Sequence, residues 1–260
     1  MMLRHVAAIG LLLLMLWPAI DAAWLSFSPD SFLTPPTNQW SFKWYRIFFD
    51  DRRWAAAIFR SFMLASASAT LGVVIAAPAA WAVERDRSWI GGILKAGMLL
   101  PIAIAPVVLG MGLLPILYRL ELAGSPIALI GVHMVMALPL LFWIFRNSFA
   151  QRSNRLEAAA RGLGASPWQA FRFVTVPLAI PALIASWICG FLISWNEGIV
   201  TVFLTTPFTE TLPTLAWRQL KFSVSPLVAV ASCLSLVLTV LGVGVIFRLT
   251  KRFTGSHSGA

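Results

Sequence analysis

Long apolar stretches, separated by short polar segments, dominate this chain of 260 residues. Six windows contain no Asp, Glu, Lys or Arg, and they are 6–20, 61–83, 96–118, 122–145, 173–196 and 222–247. Five of these six windows reach the roughly 20 residues that a helix needs to cross a bilayer. The pattern therefore predicts an all-α integral membrane protein with six transmembrane helices.

The first window is the short one, and it has two interpretations. Arg4 precedes it and the sequence "AIDAA" follows it, which is also the arrangement of a signal peptide with its cleavage site. A retained first helix is the interpretation that gives six spans. Whether this helix is retained or cleaved stays open at the level of the sequence.

Composition and charge placement support a membrane protein and suggest its orientation. Apolar residues make up 59% of the chain and charged residues 12%. A soluble domain of this composition would have to expose a large apolar surface to water. With the N-terminus inside the cell, twelve of the 20 basic residues fall on the cytoplasmic side. This distribution predicts that both termini are cytoplasmic. It also explains the net charge of +10 without a nucleic-acid partner, and we expect none.

Several chemistries have no support in the sequence. No lysine follows a glycine, so the chain lacks the G-x-x-x-x-G-K loop that holds nucleotide phosphates. His5, His133 and His257 are too far apart to form a local metal motif. Cys189 and Cys233 fall in predicted spans, where cysteine behaves as a small apolar residue. We predict no catalytic residues, no metal and no cofactor.

One polar, alanine-rich stretch, "SNRLEAAARGLGASPWQAFRFVTVP", separates the fourth and fifth windows. Asn154 is a good N-cap, and Glu157 would lie in the first turn, where the helix dipole favours negative charge. Gly162 and Gly164 are predicted to adopt the left-handed conformation that ends helices. A short helix and a glycine turn are expected here.

A second short helix is expected directly after that turn. Ser166 is a predicted N-cap, Pro167 occupies the first helical position, and Gln169 stands where a capping box needs it. The resulting helix–turn–helix is too polar to span the membrane. On physical grounds alone it is either a solvated connector or a docking surface.

The letters "LEAAARGLGAS" at 156–166 resemble the cytoplasmic loop motif of binding-protein-dependent ABC transporter permeases. That motif commonly reads L-E-E-A-A-x-x-L-G-A-S, followed about a dozen residues later by L-P. Val176 and Pro177 stand at the downstream pair, and Glu157 matches the first glutamate. Ala158 stands where the family usually has the second glutamate, so the ionic contact which that carboxylate would make is not expected here.

Most of the chain is similar to the same family. The matching pieces, in order, are "FKWYRIFF", "AAPAAWAVER", "LLPIAIAPVVLGMGLL", "GVHMVMALPLLF", "FLISWNEGIVTVFL" and "TLPTLAWRQLKFSVSPLVAVAS". The resemblance implies the type I ABC importer permease architecture. It implies a first helix and periplasmic loop with an interfacial helix at 1–53, a five-helix core at 54–250 with a coupling loop at 150–178, and a tail at 251–260.

By this resemblance, the loop contacts a separate ATP-binding subunit and carries the movement of that ATPase to the membrane helices. The residues implied in ATPase coupling are Leu156, Glu157, Ala158, Ala159, Ala160, Gly162, Leu163, Gly164, Ala165, Ser166 and Pro167. The alanines would offer a low-relief surface, with Glu157 and nearby arginines at its rim.

The closest branch of the family looks like the polyamine permeases, which carry a segment similar to Ser194-Trp195-Asn196-Glu197. Glu197 lies in an otherwise apolar run, and a carboxylate at such a depth usually faces a cavity or a partner. It would attract a cationic solute, and Trp195 could add a cation–π contact. Alternatively, Glu197 orders its neighbours through hydrogen bonds. Trp195, Asn196 and Glu197 are therefore the predicted substrate pathway.

The same branch also includes permeases for opines, aminophosphonates and other small solutes, so the solute stays open. The resemblance implies ATPase subunits, a second permease or a copy of this chain, a periplasmic solute-binding protein, and a location in the bacterial inner membrane. A secondary transporter or channel is the competing class, but no internal repeat supports it. An intramembrane enzyme would need clustered catalytic groups, and the sequence has none.

Overall fold

The computed structural model describes residues 2–36, 39–86, 88–149, 154–222 and 225–255, and every regular element in these ranges is helical. The helices are α1 (Met2–Leu25), α2 (Lys43–Asp50), α3 (Arg52–Arg85), α4 (Trp89–Leu99), α5 (Pro106–Arg119), α6 (Pro126–Ser148), α7 (Asn154–Gly162), α8 (Pro167–Ala170), α9 (Val176–Asn196), α10 (Ile199–Leu204), α11 (Leu212–Phe222) and α12 (Pro226–Gly255). A 3₁₀ turn, Leu100–Ala103, follows α4. A π-helical turn, Phe171–Thr175, joins α8 to α9.

Within the described residues, four helices are long and apolar enough to cross a membrane: Arg52–Arg85, Pro126–Ser148, Pro167–Asn196 and Pro226–Leu249. A bent pair of shorter helices brings the number to five if it counts as one span. The first predicted window falls in α1, and the apolar stretch in the described part of this helix, Leu14–Leu25, is shorter than a span. The chain is an all-helical membrane protein, and a sixth span remains a prediction.

The third predicted window, 96–118, is not a single straight helix. Trp89–Ala103 and Pro106–Arg119 are bent by 104° relative to each other. Proline explains the break, because the residue before a proline is driven from helical to extended backbone. Ala105 has φ −61° and ψ 135° for this reason, and Pro106 then starts α5.

Three helices begin with a Ser-Pro pair, which the sequence marks clearly. The Ser125, Ser166 and Ser225 hydroxyls each accept a hydrogen bond from a backbone N–H of the first helical turn, at 3.2 to 3.3 Å. The following proline occupies the first helical position, where its missing N–H costs nothing. Local chemistry thus sets where α6, α8 and α12 start.

The chain forms two compact units. The first comprises Met1–Arg60 and Glu210–Val240, and the second comprises Ser61–Thr209 and Leu241–Ala260. In the first unit, the Trp44 indole N–H donates to the Asp30 carbonyl at 2.9 Å, and Phe48 packs on Trp54 at 4.8 Å between ring centroids. Trp44 and Phe48, the buried residues of α2, therefore face protein.

The second unit carries both candidate sites, and α6 and α9 make its main helix pair. Leu141 of α6 fits between Gly72 of α3 and Gly190 of α9. A Cβ atom added to Gly72 would lie 2.9 Å from the Leu141 side chain, and one added to Gly190 would lie 3.3 Å from it. Small residues let membrane helices approach this closely, so the two glycines fix the packing of three helices.

Candidate functional site

The predicted helix–turn–helix is present, and we call residues 154–175 the helix–turn–helix segment. Gly164 has φ +94°, a left-handed conformation that glycine adopts at little cost. The Ala165 N–H donates to the Ala160 carbonyl at 3.1 Å and the Gly164 N–H to the Arg161 carbonyl at 3.0 Å. This is the Schellman pattern of a helix end. The prediction was wrong for Gly162, which is the last residue of α7 and has no positive φ.

The start of α8 confirms the predicted capping box. The Gln169 backbone N–H donates to Ser166 Oγ at 3.2 Å, and the Ser166 N–H donates to Gln169 Oε1 at 2.8 Å. Two N–H groups that the helix cannot satisfy are paired by this reciprocal arrangement. The side chain of Asn154, the predicted cap of α7, lies outside the described residues.

One face of the segment exposes apolar and small residues. Leu163 is 91% exposed, and Leu156, Ala158 and Ala159 are exposed as well. Gly162 and Gly164 have open space where a Cβ would stand. Outside a membrane, contiguous exposed apolar surface is typical of an interaction site. We call it the predicted docking face.

Glu157 points away from that face. The Arg85 guanidinium on α3 donates to Glu157 Oε2, and Thr175 Oγ1 donates to the same oxygen at 2.9 Å. The Glu157 and Arg85 side chains are 13% and 26% exposed. Glu157 therefore does not lie at the rim of the docking face. It ties α7 to α3 and to the π-helical turn.

Aromatic rings surround this ion pair. The Arg85 guanidinium carbon lies 4.3 Å from the Trp81 ring centroid, and Phe171 packs edge-on against Trp81 at 5.5 Å. An apolar cavity of about 680 Å³ adjoins the pair. Its lining comes from α3, α6, the helix–turn–helix segment and α9, and includes Pro78, Trp81, Arg85, Phe145, Phe149, Glu157, Trp168 and Phe171.

The second candidate site is the break between α9 and α10. Glu197 has ψ 114°, which ends α9 with an extended residue. Its Oε1 accepts a hydrogen bond from the Val200 N–H at 2.9 Å and so caps α10. Glu197 orders its neighbours, as one of the two sequence interpretations has it. The side chain is half-buried, and a carboxylate with one such bond keeps acceptor capacity for a cation.

A buried histidine network holds this break. His133 of α6 is 1% exposed, its Nδ1 lies 2.8 Å from Ser194 Oγ, and its Nε2 lies 2.8 Å from Thr201 Oγ1. Thr201 donates its own hydroxyl proton to the Glu197 carbonyl at 3.1 Å. Nε2 is then the donor to Thr201, and in a neutral imidazole Nδ1 accepts from Ser194. His133 thus joins the last turn of α9 to α10.

The other predicted pathway residues have different environments. Trp195 is 3% exposed and its ring stacks on Phe191 at 5.9 Å, so its face is not open to a solute in this structure. Asn196 is exposed, and its Nδ2 donates to the Leu192 carbonyl at 2.9 Å. Of the three predicted residues, Asn196 and Glu197 reach the surface at the break.

The sequence did not point to Arg85, Thr175 or Thr201 as partners of the predicted site residues. A weak signal exists for Arg85, because Trp81 and Arg85 are four residues apart and share a helix face. Nothing local relates Arg85 to Glu157, which lies 72 residues further on. These contacts belong to the tertiary structure.

Residues 54–255 match the sequence profile of the family described as the binding-protein-dependent transport system inner membrane component. The match covers well over half of the chain. This protein belongs to that family. The chain is a permease of a binding-protein-dependent ABC importer and a multi-pass component of the inner membrane. ATP hydrolysis is carried out by a separate subunit of such systems, and the permease itself is not an enzyme.

Individual relatives are similar over 71% to 76% of the permease. It is 30% identical over 200 residues to the spermidine/putrescine transport system permease protein PotC of Escherichia coli strain K12, covering 76% of this chain and 75% of PotC. It is 26% identical over 194 residues to the putrescine transport system permease protein PotI of the same strain, covering 72% and 69%. A probable ABC transporter permease, y4oR of Sinorhizobium fredii, is 26% identical, covering 71% and 65%.

Solved structures share the fold of the permease. A chain of a bacterial alginate ABC transporter, solved with an alginate pentasaccharide-bound periplasmic protein, aligns with a TM-score of 0.72 at 14% identity, covering 95% of this chain and 94% of that one. A chain of an amino acid ABC transporter solved with histidines aligns with a TM-score of 0.61 at 16% identity, covering 81% and 95%. These likenesses show the fold of an ABC importer permease. ATPase and periplasmic binding-protein partners, as a class, follow from the family match.

Proposed function

We propose that this permease imports polyamines such as putrescine and spermidine. Its similarity to PotC and PotI supports this solute class. The observation that carries the proposal is the position of Glu197, a half-buried carboxylate at the break between α9 and α10. A carboxylate there would form a transient ion pair with an ammonium group of the solute as it passes.

The geometry of Glu197 suits that role. Its cap to Val200 holds the side chain in place, and the His133 network holds the turn behind it. A preorganised carboxylate binds a cation with less loss of side-chain entropy than a mobile one. Opines and aminophosphonates are the alternative solutes. They carry anionic groups that Glu197 would repel, which favours polyamines over them.

We also propose that the exposed face of the helix–turn–helix segment, Leu156 to Ala170, docks on an ATPase subunit. Closure of two ATPases would then move this segment and alternate access to a central pathway. The working complex would contain this chain, a second permease or a copy of this chain, and a periplasmic binding protein. The predicted six spans with both termini in the cytoplasm would put the segment on the ATPase side of the membrane.

The solute class is tested by reconstituting the permease with its ATPase, its second permease and its binding protein in liposomes. We expect ATP-dependent uptake of radiolabelled putrescine or spermidine, and none of octopine or 2-aminoethylphosphonate. Uptake of one of the last two without polyamine uptake would replace the proposed solute.

In the same liposomes, Glu197→Gln tests the pathway. Glutamine keeps an acceptor oxygen for the Val200 N–H, so the cap survives while the charge is lost. Because a charge-assisted hydrogen bond contributes about 1.5–3 kcal/mol, we expect polyamine KM to rise roughly tenfold or more. Glu210→Gln is the control, since Glu210 pairs with Arg218 in the other compact unit. Equal KM values for wild type and Glu197→Gln would remove Glu197 from the pathway.

A further inference from the structure

The Arg85–Glu157 ion pair joins three elements that lie apart in the sequence. Arg85 ends α3, Glu157 lies in the first turn of α7, and Thr175 closes the π-helical turn before α9. We propose that Arg85 and Glu157 are positioning residues that form a clamp, through which movement of the helix–turn–helix segment reaches α3. The proposal rests on the docking of that segment on the ATPase.

The clamp is needed because the chain connects the segment to α9 and not to α3. The chain runs from α7 through α8 and the π-helical turn directly into α9. Arg85 is 72 residues away from Glu157, so α3 is reached through side chains at this point. A helix of nine residues is also marginal by itself and needs tertiary contacts to hold its position.

The contacts make this link stiff. Glu157 Oε2 accepts from both Arg85 and Thr175, and the guanidinium of Arg85 is stacked on Trp81. Charge-assisted hydrogen bonds are stronger than neutral ones, and a guanidinium stacked on an aromatic ring keeps few alternative orientations. Because both side chains are mostly buried, removing one charge leaves the other unpaired in a poor solvent.

The neighbouring residue on α3 supplies a matched control. Glu84 pairs with Arg146 of α6 at 3.3 Å, and the two side chains are 20% and 28% exposed. This pair resembles the clamp in charge and burial but ties α3 to α6. Glu84→Gln therefore removes a comparable ion pair without touching the helix–turn–helix segment.

The test uses the full complex of permease, ATPases and binding protein in liposomes, with putrescine and spermidine as probes. Glu157→Gln should still bind the ATPase, since the exposed face is unchanged. Stimulation of ATP hydrolysis by the solute-loaded binding protein should fall at least about fivefold, the scale of a coupling free energy between sites. Glu84→Gln should keep the stimulation. The charge swap Arg85→Glu with Glu157→Arg should restore part of it.

A second measurement needs no solute. Amide hydrogen exchange is followed with and without vanadate-trapped nucleotide in the segment, at 156–170, and at the end of α3, at 77–85. In the wild type both regions should change. In Glu157→Gln, trapped nucleotide should still change hydrogen exchange in the segment but no longer change it in α3. A change in α3 that persists in Glu157→Gln, or an equal loss in Glu84→Gln, overturns the clamp.

The outcomes separate this inference from the proposed function. If neither polyamine stimulates the wild type, the solute class is wrong, and hydrogen exchange still decides the clamp. If the ATPase leaves residues 156–170 of the wild type unprotected, the proposed docking fails, and the clamp loses its role with it. If docking and stimulation are intact in the wild type and unchanged in Glu157→Gln, the clamp alone is rejected.

Discussion

Gly164→Val is expected to weaken the apparent affinity of the permease for its ATPase about tenfold. Gly164 has φ +94°, and no atom lies within 4 Å of the position of its missing Cβ. The cost of a side chain is therefore conformational, on the order of 1–2 kcal/mol for a left-handed residue. Only the fraction of permease that keeps the turn can dock, so the apparent Kd rises by the factor by which this fraction falls.

The affinity is measured by titrating the purified ATPase against the permease complex in nanodiscs. Gly162→Ala is the matched control, because Gly162 also has open space at its Cβ position but sits in helical backbone. Alanine favours a helix over glycine, so this variant should bind at least as well as the wild type. Equal affinities for Gly164→Val and Gly162→Ala would mean that the turn does not position the docking face.

His133→Leu is expected to lower the free energy of unfolding by about 2 kcal/mol. Leucine fills a similar volume but leaves the Ser194 hydroxyl without its partner and takes the imidazole donor from Thr201. Loss of these hydrogen bonds should also make the α9–α10 break, which positions Glu197, more mobile. KM for the solute should therefore rise as well. Unfolding in mixed micelles gives the stability, and liposome uptake gives KM.

Two serines of α9 separate the hydrogen bond from general packing in this prediction. Ser194 bonds to His133, whereas Ser186 is equally buried and its hydroxyl has no hydrogen-bond partner among the described residues. Ser194→Ala should destabilise by about 1 kcal/mol, at the scale of membrane hydrogen bonds. Ser186→Ala should be neutral or stabilising, because it removes an unpaired polar atom. A larger loss of stability in Ser186→Ala than in Ser194→Ala would contradict the hydrogen bond between Ser194 and His133.

The element boundaries were predictable where one short stretch carries the whole cause. Ser166, Pro167 and Gln169 predict the start of α8, since a cap needs only residues of the same turn. The helical turn at Gly164 was equally visible, yet two glycines competed for it. Both glycines were candidates for the left-handed residue, with Gly164 as the predicted turn between the helices, and only Gly164 has a positive φ.

The predicted spans show the same limit. Charge-free windows located α3, α6, α9 and α12, because the bilayer requires long apolar helices wherever a chain crosses it. The window at 96–118 failed as a single helix. Mean hydropathy over a window does not register single prolines, whereas the backbone conformation responds to each of them. Pro101 and Pro106 therefore interrupt a helix that composition alone predicted as continuous.

The sequence by itself determined the membrane class, the helix–turn–helix segment and the family, because these follow from local patterns of apolar residues, caps and glycine. Only the tertiary structure decided which way Glu157 points and which residues hold Glu197. The predicted cytoplasmic side alone offers twelve basic residues as partners for Glu157, and His133 bonds to residues 61 and 68 positions away. Such pairs form when packed helices bring distant side chains within hydrogen-bond reach, and that distance is a property of the fold.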